Sequence, residues 1–167
     1  MKVLVFSDVH GAKKRVKAVL DAHRDAKHKI SLGDSELKES FLNEHDIIAI
    51  KGNYPFDRGV GLELSLKIKQ RNIYLTHGHK TKVKYNYQTL YYKMLEAKAD
   101  LALHGHTHVL HQEYIDGKYI LNPGAINFPR GQEDVSYLIL DFKENHIQAT
   151  WLDANTHQPI KQSTLDI

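Results

Sequence analysis

The chain has 167 residues, 41% of them hydrophobic and 26% charged, which are ordinary proportions for a globular protein. Its formal net charge of +3 is mildly basic and does not distinguish a small anionic ligand from nucleic acid. The absence of cysteine excludes disulfides, thiolate metal ligands and cysteine nucleophiles. The length predicts one domain over residues 1–167, and the lack of a signal peptide or of a run of ~20 apolar residues predicts a cytoplasmic protein.

The first half of the chain predicts three strands separated by helices. Short apolar runs at residues 3–6, 30–32 and 47–50 are typical of strands that are covered on both faces. Residues at helical spacing follow the first run (Val16, Val19 and Leu20, with His23 at the next position of the pattern) and the second (Leu37, Phe41 and Leu42). This alternation of strand and helix predicts a parallel sheet with right-handed crossovers.

The second half predicts antiparallel strands and one more helix. Alternating apolar residues from Leu62 to Ile68, a polar turn at 70–72 and the run 73–75 indicate an antiparallel pair. A helix with Tyr87, Leu90, Tyr91, Met94 and Leu95 on one face is expected next. Further strands are predicted at 100–103, on both sides of an Asp116-Gly117 hairpin turn, at 137–142 and at 147–152. The polar tail after Asn155 is either an edge strand or frayed.

Three of the 12 histidines lie at alternate positions directly after the strand at 100–103. An extended backbone would send His106 and His108 to the same side, and Gly105 would let other backbone segments approach closely. Neutral imidazole is the commonest metal ligand among side chains. Taken alone, the pattern fits an exposed polar loop equally well.

Polar side chains follow five predicted strands at the point where each strand ends. They are Asp8 and His10, Asp34, Asn53, His77, and His106 with His108. Each could be a helix cap, a turn residue or a partly buried histidine. In open α/β sheets, however, ligands bind beyond the carboxyl ends of the strands, so these residues together predict one site.

Five motifs in order resemble the signature of the calcineurin-like metallophosphoesterases. They are Asp8-Val9-His10, Gly33-Asp34, Gly52-Asn53, His77-Gly78-His79 and Gly105-His106-Thr107-His108. The motifs are most similar to the small single-domain phosphodiesterase branch of that superfamily, as are Asn122-Pro123-Gly124 and Pro129-Arg130. The resemblance spans residues 3 to about 150. It implies a four-layer α/β/β/α sandwich of two mixed sheets flanked by helices, with a dinuclear metal site.

The resemblance also implies a ligand set for two divalent ions. One ion would be held by Asp8, His10, Asp34 and His108, and the other by Asp34, Asn53, His77 and His106, so that Asp34 bridges them. Asn53, His77 and His106 are also the expected catalytic residues. Nitrogen and oxygen ligands without sulfur suit Mn²⁺, Ni²⁺, Fe or Zn²⁺, and of these we expect Mn²⁺.

The implied reaction is hydrolysis of a phosphodiester by a metal-bound hydroxide, with a small phosphodiester or nucleotide-like substrate. In many relatives a histidine after the Gly-Asn pair protonates the leaving group, but here Tyr54 stands in its place and Asp57 is displaced along the chain. The general acid is therefore left open between Tyr54, His79 and His104. Tyr54 and Arg130 are expected to contact the substrate.

Other functions of the same superfamily stay open at this point. These are a phosphomonoesterase, a nuclease and a non-catalytic scaffold like the retromer subunit, because fold alone does not imply activity. The complete ligand set favours an enzyme, and 167 residues leave little room for the capping domain of a nuclease. The run from Lys80 to Tyr87 could bind phosphates and a base, but it is more typical of a solvated loop that leads into a helix. We expect no membrane partner and no extended nucleic acid, and we leave self-association into a homo-oligomer open.

Overall fold

The structure, a computed structural model, describes residues 1–131 and 134–167. Within these residues the chain forms 11 strands and three helices. Their bounds are β1 Lys2–Phe6, α1 Lys13–Ala22, β2 His28–Ser31, α2 Glu39–Glu44, β3 Ile47–Ala49, β4 Glu63–Ile68, β5 Arg71–Thr76, α3 Gln88–Glu96, β6 Leu101–Leu103, β7 Leu110–Ile115, β8 Lys118–Pro123, β9 Ser136–Phe142, β10 Ile147–Asp153 and β11 Pro159–Leu165.

The strands form two mixed sheets. The first sheet has the order β11-β10-β9-β1-β2-β3, in which β1, β2 and β3 are parallel, as the opening of the sequence predicts. The second sheet has the order β4-β5-β6-β8-β7, with β5, β6 and β8 parallel and an antiparallel strand at each edge. The polar tail forms β11, an edge strand of the first sheet.

Three apolar clusters separate four layers. The largest lies between the sheets and joins residues of the first sheet, such as Val5, to residues of the second, such as Leu75. A second cluster packs α1 and α2 against the outer face of the first sheet, and a third packs α3 against the second sheet. The predicted four-layer α/β/β/α sandwich is therefore confirmed. No helix in the described ranges has the length and apolar character needed to cross a bilayer.

Strand β1 shows why its sequence is apolar throughout. Val3 and Val5 point into the cluster between the sheets, whereas Leu4 and Phe6 point towards the helices, and all four are fully buried. A strand in the middle of a covered sheet has no solvent face, so it shows no polar alternation. Because β1 lies between β9 and β2 inside its sheet, Asp8, which follows β1, lies away from the sheet's two side edges.

Some predicted boundaries are wrong for local reasons. Leu37 lies outside α2, because Glu36 has a left-handed φ of 52° and the backbone N–H of Leu37 donates to the Ser35 hydroxyl. The β4–β5 turn contains Lys69 and Gln70 only, since Ile68 already pairs with Arg71. The Asp116-Gly117 turn is confirmed, with a positive φ at both residues.

Candidate metal centre

The carboxyl ends of β1, β2 and β3 in the first sheet meet those of β5 and β6 in the second sheet at one edge of the sandwich. The N–H of His106, which follows β6, donates to Oδ2 of Asp8, which follows β1, at 3.0 Å and so joins the two sheets. Within the second sheet, the N–H of Gly105 donates to the carbonyl of His77 at 3.1 Å. The predicted convergence of strand-end residues is therefore present.

Two groups of ligand-type side chains lie at this junction. Asp8, His10 and His108 form one group, and Asp8, Asp34 and His77 form the other, with the ligand atoms of each group within 4.8 Å of one another. Asn53 joins the second group, because its Oδ1 lies 3.2 Å from His77 Nε2. The carboxylate common to both groups is Asp8, whereas the family resemblance gives the bridging role to Asp34. The bridging role of Asp34 stays a prediction.

Three imidazoles are oriented by oxygen acceptors at their Nδ1 atoms. Nδ1 of His77 lies 2.7 Å from the carbonyl of Leu32, and Nδ1 of His108 lies 2.7 Å from the carbonyl of Phe128. Nδ1 of His10 lies 2.8 Å from the carboxylate of Glu36. A carbonyl or carboxylate fixes the proton on Nδ1 and leaves the Nε2 lone pair free, which is the usual arrangement of a metal-binding histidine.

The Nε2 atoms converge on the carboxylates. Nε2 of His108 lies 3.2 Å from Asp8 Oδ1 and 3.4 Å from Nε2 of His10, and Nε2 of His77 lies 3.5 Å from Asp34 Oδ2. The contact of His108 with Asp8 Oδ1 does not have hydrogen-bond geometry, so this fully buried oxygen lacks a hydrogen-bond partner among the described residues. A buried carboxylate oxygen without a partner is costly, and a cation bound among these atoms would satisfy it.

The titration behaviour of the same groups indicates that the site favours positive charge. Burial alone lowers the pKa of His77, but Asp34 and Asp8 outweigh burial and raise this pKa above its usual value. Burial likewise opposes the ionised form of Asp34, yet His77 holds the pKa of Asp34 well below its usual range. A site that stabilises two carboxylates and attracts a proton fits a metal cation, so the residues present fit the metal that the family resemblance implies.

His106 and His108 do not lie on one extended segment. Both have a left-handed φ, 67° for His106 and 62° for His108, so the alternation rule for strands does not apply to them. The expectation that they share one side for that reason is wrong. His108 turns towards His10, with ring centroids 5.2 Å apart, and His106 turns towards His77, with centroids 5.1 Å apart. Burial lowers the pKa of His106 to about 4, which keeps the imidazole neutral.

Two glycines allow the motifs to approach each other. A Cβ on Gly105 would overlap the Ser7 hydroxyl and lie 2.8 Å from Asp8 Oδ2. A Cβ on Gly52 would overlap the Asp34 carboxylate. The glycines of both motifs are therefore required by contact with an acidic residue of another motif.

Asp57 is a site residue whose role the sequence did not reveal. It is buried, and its Oδ1 accepts hydrogen bonds from the backbone N–H and the hydroxyl of Ser35, at 3.0 and 2.9 Å. Its Oδ2 accepts from the N–H of Gly52 at 2.8 Å. Asp57 thus ties the Asn53 loop to the Asp34 loop. The sequence shows only an acid near the Gly-Asn pair, and the partner Ser35 is 22 residues away.

The side chain of Asn122 holds the histidine loop, residues 104–108, by hydrogen bonds. Its amide Nδ2 donates to the carbonyl of Gly105 and to the Thr107 hydroxyl, both at 3.0 Å. Its own carbonyl accepts the indole N–H of Trp151 at 2.7 Å, and Trp151 is fully buried. The motif Asn122-Pro123-Gly124 therefore connects the metal centre to the core of the sandwich.

The candidate acids occupy different environments. His104 is fully buried, and burial lowers its pKa to about 4. His79 is partly buried, with its ring 5.5 Å from that of His77. Tyr54 is exposed, and its backbone N–H donates to Asp34 Oδ1 at 2.8 Å.

Two cationic features flank the site. Arg130 is exposed, its N–H donates to the carbonyl of His108 at 3.1 Å, and its charge opposes protonation of His108. In the run from Lys80 to Tyr87 the three lysines are exposed while Thr81 and Val83 are buried. The run is therefore a solvated loop that leads into α3, as the favoured interpretation predicted.

Comparison with known proteins identifies the family. The model of the calcineurin-like phosphoesterase superfamily domain matches residues 1–145, which include all five motifs. The chain belongs to this superfamily. The probable metallophosphoesterase YsnB of Bacillus subtilis is 32% identical over 154 residues, which cover 92% of this chain and 91% of YsnB. The phosphodiesterase YfcE of Escherichia coli is 28% identical over 170 residues, which cover 84% of this chain and 88% of YfcE.

Solved structures agree with the assignment to the small single-domain branch. A conserved protein from Streptococcus pneumoniae, described as a predicted phosphoesterase, superposes with a TM-score of 0.87 at 28% identity and covers 98% of this chain and 97% of its own. Vps29 of Entamoeba histolytica in complex with Zn²⁺ gives a TM-score of 0.80 at 22% identity, with 99% of each chain covered. The likeness to Vps29 shows the shared fold.

Proposed function

We propose that this protein is a phosphodiesterase that requires two divalent metal ions, with Mn²⁺ preferred. The observation that carries the proposal is the convergence of three imidazole Nε2 atoms on two buried carboxylates, one of which has an oxygen without a hydrogen-bond partner among the described residues. The named activity of YfcE, a relative that is 28% identical, supports hydrolysis of a phosphodiester. Nitrogen and oxygen donors without sulfur suit Mn²⁺ better than a soft metal.

We assign the ligands as the family motifs suggest. One ion would be held by Asp8, His10, Asp34 and His108, and the other by Asp34, Asn53, His77 and His106. When bound, such a pair of ions lowers the pKa of a water molecule and neutralises charge on the phosphoryl oxygens. The protein's part is to hold these donors, with Glu36 and the carbonyls of Leu32 and Phe128 keeping the imidazoles in the neutral form with Nε2 free.

The open side of the centre faces the substrate. Asp8, His77 and His108 are buried, whereas Asn53 is exposed and His106 is partly exposed. A phosphodiester therefore approaches past Asn53 and His106, which are positioned to contact its oxygens. Arg130 adds positive charge beside His108, which favours an anion there. We propose a small phosphodiester or a nucleotide-like molecule as the substrate.

The side chain that protonates the leaving group must be accessible to the substrate. His104 has no solvent-accessible surface, so it cannot reach a departing alkoxide. This leaves the hydroxyl of Tyr54 and the imidazole of His79 as the protein groups at the site that can supply a proton. Tyr54 is the better placed, because its backbone is hydrogen-bonded to Asp34 and its side chain is exposed.

Metal removal and restoration test the proposal. The protein is stripped with a chelator and then supplied separately with Mn²⁺, Ni²⁺, Zn²⁺ or Mg²⁺, and hydrolysis of bis(4-nitrophenyl) phosphate and of 4-nitrophenyl phosphate is measured. We expect activity to disappear with the metal, to return best with Mn²⁺, and to be higher on the diester than on the monoester.

Three outcomes would contradict the proposal. Full activity after complete metal removal would exclude the metal mechanism. Higher activity on the monoester would make the protein a phosphomonoesterase. Stoichiometric binding of Mn²⁺ without hydrolysis of either ester, or of a panel of cyclic and linear nucleotides, would favour the non-catalytic scaffold.

A further inference from the structure

Two phenylalanines are placed against the usual preference of this residue for the interior. The sequence contains five, and Phe6, Phe41 and Phe142 are buried in the core. Phe56 is 74% exposed and Phe128 is 63% exposed. Both exposed residues lie on loops that also carry contacts to the metal centre, Phe128 beside His108 and Phe56 two residues after Tyr54, which binds Asp34. Single exposed apolar residues are common, but ligand pockets are lined mainly by hydrophobic and aromatic side chains, so aromatic rings beside a polar site suggest a ligand.

Phe128 is held in place by the metal centre itself. Its carbonyl is the acceptor at 2.7 Å from Nδ1 of His108, and its ring centroid lies 5.8 Å from that of His10. Its backbone has a left-handed φ of 54°, which is uncommon for a bulky residue. Strain of this kind persists where the surroundings fix the conformation, and it is concentrated at functional sites.

Phe56 belongs to a second anchored loop. Tyr54, two residues before it, donates its backbone N–H to Asp34, and Asp57, directly after it, is buried among the hydrogen bonds described above. The rings of Tyr54 and Phe56 lie edge to face, with centroids 5.9 Å apart. Fixed loop ends and a ring pair make this aromatic surface preorganised, which reduces the entropy cost of binding a ligand.

A cleft beside these rings leads away from the metal centre. It has a volume of about 460 Å³, and Tyr54, Phe56, Glu36, Lys38 and Arg58 contribute to its wall. Glu36 is the residue that orients His10, so the cleft begins next to the proposed ligands. Two cationic side chains and two carboxylates, those of Glu36 and Glu39, balance each other in its wall, so the aromatic faces are the feature that suits a planar ring.

We propose that Tyr54, Phe56 and Phe128 form an aromatic rim that binds the alcohol part of the substrate. The rim selects phosphodiesters whose alcohol carries a planar ring, either an aryl alcohol or a nucleoside. This inference rests on the proposed function, because it names the substrate class of the same site. Every nucleobase and every aryl group offers a flat π-face, so stacking gives preference for a ring without preference for one particular base.

Kinetics on a matched pair of substrates test the rim. Two methyl phosphodiesters are compared whose leaving alcohols have the same acidity, one with an aryl ring and one a fluorinated alkyl alcohol. The variants are Phe56→Ala and Phe128→Leu, since leucine keeps apolar bulk at the strained position. Tyr92→Ala is the control, because Tyr92 is an aromatic residue on α3 that is 55% exposed and lies outside the proposed site.

We expect wild type to favour the aryl ester in kcat/KM and each rim variant to lose about fivefold or more of that preference, through KM. The Tyr92→Ala control should keep the wild-type preference. Equal kcat/KM ratios in wild type and in both rim variants would overturn the inference while leaving the phosphodiesterase proposal intact.

A binding measurement separates the rim from catalysis. Calorimetry on the Mn²⁺-loaded protein compares adenosine 5′-monophosphate with ribose 5-phosphate, and phenyl phosphate with methyl phosphate. We expect the ring-bearing ligand of each pair to bind more tightly, and this difference to shrink in Phe56→Ala. If wild type binds the ring-bearing ligands more tightly but hydrolyses no ester, the aromatic rim is supported and the proposed function is wrong. If neither pair shows a difference, the rim is excluded.

Discussion

Among single residues, Asp34 and Asp8 are the two candidates for the bridge between the proposed ions. The family resemblance assigns the bridge to Asp34, but the carboxylate that lies in both ligand groups is Asp8. Asp34 is held differently, with Oδ1 accepting the N–H of Tyr54 and Oδ2 facing His77. A carboxylate can bridge two ions through both oxygens or through one, so the hydrogen bond from Tyr54 is compatible with a bridging role for Asp34.

The variants Asp34→Asn and Asp8→Asn distinguish the two arrangements. If Asp34 bridges, Asp34→Asn weakens both ions and leaves almost no bound metal, whereas Asp8→Asn leaves about one ion per chain. Turnover should fall in both variants by more than the roughly 10–100-fold that is typical of residues behind the ligands. The measurements are metal content after gel filtration and turnover, with Asp21→Asn, an exposed aspartate on α1, as the control. If Asp34→Asn retained one ion per chain and Asp8→Asn retained none, Asp8 would be the bridging residue.

Some site residues could be predicted from the sequence, and others could not. Asp8, His10, Asp34, His77 and the two later histidines were found because each follows a strand, and strand ends meet at one edge of a sheet. The left-handed conformations of His106 and His108 could not be predicted, since histidine has only a weak preference for that region. The role of Asp57 depends on contacts with residues that are more than 20 positions away, and these are fixed only by the fold.

At the scale of elements, the histidine loop after β6 must lie directly against the end of β1. Gly105 permits this approach, because a Cβ there would overlap the Ser7 hydroxyl and crowd Asp8. Gly105→Ala should push the loop away from β1 and separate His106 and His108 from Asp8. We expect metal affinity to fall at least about tenfold, by analogy with changes that disturb ligand orientation, while the secondary structure is retained.

Isothermal titration calorimetry measures the Mn²⁺ affinity of Gly105→Ala, and circular dichroism checks that its secondary structure is retained. Gly61→Ala is the matched control, since a Cβ there meets its nearest neighbour at an ordinary 3.5 Å. Unchanged Mn²⁺ affinity in Gly105→Ala would mean that the loop can shift without loss of the site.

The elements themselves were predicted better than their ends. The strands and helices of the first half follow from apolar runs and helical spacing, and the Asp116-Gly117 hairpin follows from turn chemistry. Helix α2 starts later than predicted because Ser35 and Glu36 form a turn that serves the metal site. Local patterns do not reveal such a turn, because its purpose is to bring Glu36 to His10 and Ser35 to Asp57.

At the scale of the whole molecule, the proposed ions connect the two sheets. Asp8, His10, Asp34 and Asn53 follow strands of the first sheet, whereas His77, His106 and His108 follow strands of the second. A ligand that binds only the folded chain stabilises it by about 2.7 kcal/mol when present at 100 times its Kd. For a chain of this length that corresponds to a rise in Tm of roughly 5–10 °C.

Thermal unfolding with and without Mn²⁺ measures this stabilisation. We expect Tm to rise with Mn²⁺ concentration in wild type and to change far less in Asp34→Asn. An equal rise in the variant would indicate that Mn²⁺ binds elsewhere on the protein. No rise in wild type would show that the junction of the sheets holds no metal in solution.

The hydrogen bond between Trp151 and Asn122 has a practical consequence. Trp151 is the single tryptophan of the chain, and its indole N–H is bound to the carbonyl of the residue whose side chain fastens the histidine loop. Its fluorescence therefore arises from one buried position, which Asn122 connects by hydrogen bonds to Gly105 and Thr107 of the histidine loop. The emission wavelength and intensity give an optical signal, without an attached dye, for both the integrity of the core and the ordering of the loop above it.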